Sequence, residues 1–151
     1  SIYFDLFSTD FNIVRIISFS LKLIDGTGNY HTNLNENNIS PRLKFWDEVD
    51  EFPAVHVNAG REAREYLTGG IKNRFLTVTL RCYVNEEDAV NALDALLEDV
   101  ETVLEDNSGM TYTDKLGVTQ YIQQITIISI ETDEGVLEPL GVGEITIEVR
   151  Y

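Results

Sequence analysis

From Asn85 to Asp106 the chain reads N-E-E-D-A-V-N-A-L-D-A-L-L-E-D-V-E-T-V-L-E-D, with apolar residues recurring at gaps of three and four. Val90, Leu93, Leu97, Val100 and Leu104 therefore share one face of an expected α-helix, and Ala89, Leu96 and Val103 widen that face. Asn85 is the expected N-cap, Asp88 returns the bond, and Asn107-Ser108-Gly109 supplies the stop. The opposite face holds nine carboxylates and no Lys, Arg or His between Glu86 and Asp106. Asp94/Glu98 and Glu101/Glu105 are like-charge pairs four apart, each costing about 0.2–0.5 kcal/mol. Burial of each Leu or Val returns about 1.5–3 kcal/mol, so packing decides the outcome. The helix is expected to lie on a sheet, its acidic back facing water or a basic partner.

Strict alternation marks the strands. Leu76, Val78, Leu80, Cys82 and Val84 oppose Thr77, Thr79, Arg81 and Tyr83. Ile145, Ile147, Val149 and Tyr151 likewise oppose Glu144, Thr146, Glu148 and Arg150. Tyr121–Glu131 is apolar on both faces, with Ile122, Ile128 and Ile130 on one and Ile125 and Ile127 on the other. Such a strand is either central and covered twice, or turned toward another subunit. Phe52–Val57 reads as a strand with Pro53 near its start, and Leu43–Trp46 as a short one before an acidic turn, Asp47–Glu51.

Residues 10–25 carry two signals. Phe11, Val14, Ile17, Leu21 and Ile24 fit a helix face with Ser8-Thr9-Asp10 as caps, whereas the β-branched content favours a strand; helix is the reading adopted. Residues 1–8 form a lead-in, and 29–42 and 59–73 read as loops, the second with a Gly69-Gly70 turn. The order α-β-β-β-α-β-β predicts a single α+β domain over 1–151. It is a two-layer sandwich, mostly antiparallel or mixed, with two helices on one sheet face.

Charge changes this picture. The net charge of −15 is concentrated in the second half: residues 1–81 sum to −1 and residues 82–151 to −14. Such a field repels DNA and anionic membranes, although simple solubility is the favoured explanation for the charge of an isolated acidic domain. Gly60–Arg81 is locally basic, with Arg61, Arg64, Lys72, Arg74 and Arg81 against Glu62 and Glu65. A basic patch and an acidic helix on one molecule suit head-to-tail self-assembly. No apolar run reaches the length of a membrane span and no signal-peptide pattern opens the chain, while the single cysteine, Cys82, fits a reducing cytosol.

Catalytic chemistry finds little support. His31 and His56 sit in different elements without a second ligand at metal spacing, and Cys82 stands alone on an apolar strand face. The G-T-G of Gly26–Gly28 lacks the third glycine of a dinucleotide fingerprint, and Asp47–Glu51 and Asp133–Glu134 lack EF-hand spacing. No cofactor and no enzyme activity are expected. A small-ligand or regulatory domain remains an alternative, with a pocket lined by His56, Tyr83 and Tyr121.

The order F-P-A-V (Phe52–Val55), Gly60 with Glu62, Glu65 and Tyr66, the alternating strand, and D-A-L-L-E-D-V-E-T-V-L (Asp94–Leu104) resembles the tail terminator family of long-tailed bacteriophages. These proteins are also called tail completion or minor tail proteins. The closing stretch Ile130–Tyr151 resembles the family's last hairpin most closely. The resemblance implies an α+β subunit that forms a hexameric ring on the finished tail tube. That ring stops tube polymerisation and offers the surface that joins the capsid, in the virion after assembly in the host cytoplasm.

Implied partners are further copies of the chain (monomeric, if so, only in isolation), the tail tube protein and a head-completion protein; a neck protein of the same virion is the rival reading. Arg61, Arg64, Lys72 and Arg74 are the expected interface partners of a neighbour's Glu98, Glu101 and Glu105, with Ile125 and Ile127 adding apolar contact. Asp133, Glu134, Glu144 and Glu148 are candidates for a lumen that passes DNA without binding it. Ordinary solvent-facing carboxylates are the alternative there.

Overall fold

The computed structural model describes residues 8–34, 38–41, 49 and 51–151. Helix α1 spans Thr9–Ser20 and runs on as a 3₁₀ turn over Leu21–Leu23. Ser8 caps it, its side chain accepting the Phe11 N–H at 3.1 Å. Ile13, Val14, Ile17, Leu21 and Ile24 are buried, so apolar burial overrides the β-branched preference. Strand β1 (Ile39–Ser40) runs parallel to β2 (Ala54–Tyr66), which pairs antiparallel with β3 (Lys72–Asn85). Helix α2 (Ala89–Asp106) follows, then a small ribbon of β4 (Thr111–Thr113) and β5 (Thr119–Tyr121), and finally β6 (Gln124–Thr132) and β7 (Leu140–Arg150). The main sheet has the order β1-β2-β3-β7-β6, antiparallel except for its first pair. Both helices contribute to one core with the inward residues of β2, β3 and β7, which is the expected α+β sandwich.

Several elements differ from expectation. Residues 59–73 are not a loop but the outer half of a β2–β3 hairpin, paired from Glu62↔Leu76 to Tyr66↔Lys72. Both faces of this arm carry polar residues, so no apolar alternation announced it; cross-strand pairing makes the strands instead. Gly69 and Gly70, with φ of 83° and 80°, supply the left-handed turn, closed by Leu67 N–H donating to the Ile71 carbonyl at 2.8 Å. The register shifts between Ala59 and Glu62, a bulge at the arm's root. Helix α2 begins later than expected: Asn85 belongs to β3, opposite Leu140, and Asp88 is the N-cap, accepting from Asn91 N–H at 3.4 Å. The expected strand Leu43–Trp46, the lead-in up to Phe7 and most of the turn Asp47–Glu51 lie outside the described residues.

Alpha2 approaches the sheet closely because β7 carries Gly141 and Gly143 beneath it. A Cβ on Gly143 would stand 3.3 Å from Leu93 and Leu97, and one on Gly141 only 2.7 Å from Val84 Cγ2. The expected strand over Tyr121–Glu131 divides. Tyr121 ends β5, Ile122 plugs the core, and β6 starts at Gln124 as an edge strand.

Candidate assembly interface

Two surfaces stand out, and each gathers residues distant in sequence. The first is the arm. Beyond Phe75↔Arg150, the last β3–β7 pair, and the Tyr151 N–H that donates to the Arg74 carbonyl at 3.0 Å, β2 and β3 continue without β7 beside them. Three further residues to Lys72 extend the arm by about 10 Å before the turn. Arg64 and Arg74 face each other across the hairpin, and Arg61 sits in the bulge. Arg64 Nε donates to Glu62 Oε1 at 2.7 Å, and Lys72 Nζ lies 5.8 Å from the centre of the Tyr66 ring. The tip is apolar as well as basic: Tyr66 is 72% exposed, Ile71 60%, and Leu67 projects beside them.

At the arm's root a small polar cluster ties it to α1 and to the last residue. Tyr151 Oη donates to Asp10 Oδ1 at 2.8 Å, and Glu62 reaches both groups. Burial pushes the Asp10 carboxyl above the ordinary aspartate value, and the nearby Glu62 charge adds to this. Arg64 holds Glu62 below the usual carboxylate range. Burial and the hydrogen bond to Asp10 push the Tyr151 phenol up.

The second surface is a groove between α2 and the edge strand β6. Ile125 and Ile127 face the helix side, opposite Val149 and Ile147, and are half-buried against the core. A bulge between Ile127 and Ser129 shifts the register, so Ile130 lies opposite the core residue Ile145. That places Ile130 on the same face as Ile125 and Ile127, contrary to the simple alternation, and leaves it 42% exposed. Val90 and Asp94 of α2 stand over Thr132 and Asp133 at one end of this groove. At about 100° per residue, Glu101 and Glu105 fall within about 60° of Val90 around the helix, on the same flank. Val90 is accordingly not a core residue but half-exposed at the groove's rim. Glu98 lies farther round, toward the crest, 3.4 Å from His31 Nε2.

The remaining candidates are spread over the sheet's polar outer face and one end. Glu144 lies between Arg81 and Glu131, its Oε2 3.6 Å from Arg81 Nη2, and Glu148 lies between Thr77 and Thr126. Asp133 and Glu134 form the turn after β6. The alternative ligand pocket does not assemble. His56 and Tyr83 are buried with ring centres 5.1 Å apart. Tyr121 is on the ribbon near the other end of β3, about 25 Å away at strand rise.

Cys82 is fully buried, its thiol pushed up to about 12 by that burial. Among the described residues no helix is long and apolar enough to cross a membrane. Sequence reasoning missed Asp99, counted with the acidic back but in fact 1% exposed, its carboxylate accepting from His31 and Thr32.

This α+β sandwich with its projecting hairpin matches the sequence model of the Bacteriophage Tail Tube Terminator Protein family over residues 12–151. The chain belongs to that family of structural phage proteins. A curated relative, tail tube terminator protein p142 of Escherichia phage T5, is 34% identical over 137 residues, covering 86% of this chain and 84% of the relative. The family match includes most of α1 and the Asn-rich segment, well beyond the Phe52–Tyr151 stretch in which the resemblance is read from sequence.

Proposed function

We propose that this protein caps the finished tail tube as a closed hexameric ring, stops further tube subunits from adding, and presents the head-joining surface. It then resides at the head-proximal end of the virion tail after assembly in the host cytoplasm. The carrying observation is that a member of the tail tube terminator family holds two complementary surfaces on one chain. One is the arm with Arg61, Arg64, Lys72 and Arg74; the other is the acidic flank of α2 with Glu101 and Glu105, and Glu98 above it. Surfaces of opposite sign on different parts of a subunit make head-to-tail contacts, which close into rings when the rotation allows. A monomer in solution is compatible, because the tube supplies the template.

The ring's lumen is lined in this reading by Asp133, Glu134, Glu144 and Glu148, whose charge keeps phosphates from binding as DNA passes. A ring with these four on its outer rim overturns that part. The deciding experiment for the whole reading is electron microscopy of tails from phage lacking this gene. Overlong, headless tubes are expected. Tails of normal length that fail to join capsids would make the protein a neck component, and unaltered virions would remove it from assembly altogether.

A further inference from the structure

Resting on the ring reading, we infer that the α2–β6 groove of one subunit is the seat for the arm tip of the next copy. Two features make the groove an unfinished surface. On its helix-side face β6 carries an apolar strip of Ile125 and Ile127, half-buried against the core, and Ile130, 42% exposed. The groove's outer margin is the edge of β6, which no strand pairs among the described residues, a nine-residue strand with no Lys or Pro to blunt it. Its wall is acidic, with Asp94, Glu101 and Glu105 along α2.

The arm tip is the matching shape and chemistry within the same chain. Tyr66, Leu67 and Ile71 offer apolar surface, while Lys72, with Arg74 behind it, offers the opposite charge. Among the described residues, no strand flanks Lys72 and Asn73 on the side away from β2, and β1 pairs with Val55 and His56 only. Seating the tip buries Ile130 and Ile71 together and sets Lys72 and Arg74 against Glu101 and Glu105. It also gives the β6 edge a strand to bond. The occupant is a second copy rather than the tube protein, because both halves of the contact, of opposite charge, are present on one chain.

The test uses Ile71→Cys and Ile130→Cys, both at exposed positions in a chain whose single native cysteine is fully buried. The doubly substituted protein, assembled on tail tubes and oxidised, is expected to give a ladder of linked subunits ending at the closed ring. The two single variants mixed together are expected to give linked dimers only, and Ile71→Cys with Leu116→Cys no ladder. Rings seen by microscopy without the Ile71–Ile130 link overturn the inference and leave the ring reading standing. Carbodiimide coupling of Lys72 to a tube subunit, rather than to Glu101 or Glu105 of a second copy, overturns it in favour of the tube. No ring on any tube overturns the parent reading instead. As a second variant, Ile130→Glu is expected to abolish ring assembly while the monomer's melting temperature stays within about 2 °C; normal rings from Ile130→Glu also overturn the inference.

Discussion

The Asp99 carboxylate on α2 accepts the backbone N–H of Thr32 at 2.7 Å, and so fastens the loop after α1 to the second helix. The same carboxylate takes the Thr32 hydroxyl at 2.5 Å and the His31 N–H at 2.9 Å. A buried charge is tolerated here because every bond it makes is to a donor. Asp99→Ala leaves these donors without a partner and is expected to cost about 3 kcal/mol. Asp99→Asn is expected to cost less, since one oxygen still accepts while the amide NH₂ meets donors. Urea denaturation of the two variants checks the order; equal and negligible losses would show that the loop is not held through Asp99.

Close packing at the sheet gives a second expectation. Gly141→Ala drives a Cβ to 2.7 Å from Val84 Cγ2 and 3.3 Å from the Ala89 carbonyl, both on stiff neighbours. The expected loss is about 1–3 kcal/mol. Gly28→Ala meets no atom within 4 Å but sits at φ 62°, so its cost is backbone strain alone. Thermal melts of both variants separate clash from strain.

The cluster at the arm's root predicts a pH signature. The raised Asp10 pKa means the folded state holds this proton more tightly than the unfolded chain. Its contribution to stability is therefore present below the unfolded value and lost as pH rises through the folded one. Glu62 is lowered, so its contribution is present above the unfolded value and lost as pH falls through the folded one. Asp10→Asn keeps an acceptor for Tyr151 but removes the first effect. Melting temperatures across the acidic range are expected to fall with rising pH in the wild type relative to Asp10→Asn; parallel curves would mean that Asp10 does not titrate differently on folding.

Charge on the arm is expected to act on assembly more than on folding. Arg61→Glu with Arg64→Glu reverses two charges on exposed positions. Loss of rings on tail tubes is expected, with partial recovery when Glu101→Lys and Glu105→Lys are added. Raising salt from 0.1 to 1 M is expected to weaken wild-type assembly, because the screening length shrinks from about 10 to about 3 Å. Rings untouched by the double reversal would exclude the arm from the subunit contact.

The amino-acid sequence by itself determined α2, β3 and β7, because each buries one face and the burial is written as a period of 3.6 or 2. It determined the location of the opposite charges for the same reason, since charge is a property of residues and not of their arrangement. Only tertiary structure decided the arm, whose strands face water on both sides and so carry no apolar period. It alone turned Ile130 to the face of Ile125 and Ile127, because one extra residue in β6 inverts the alternation beyond it. It buried Asp99, whose partners lie 67 and 68 residues away. Local pattern records which face is covered; what covers it, and what a side chain meets there, depends on segments that meet only in the folded chain.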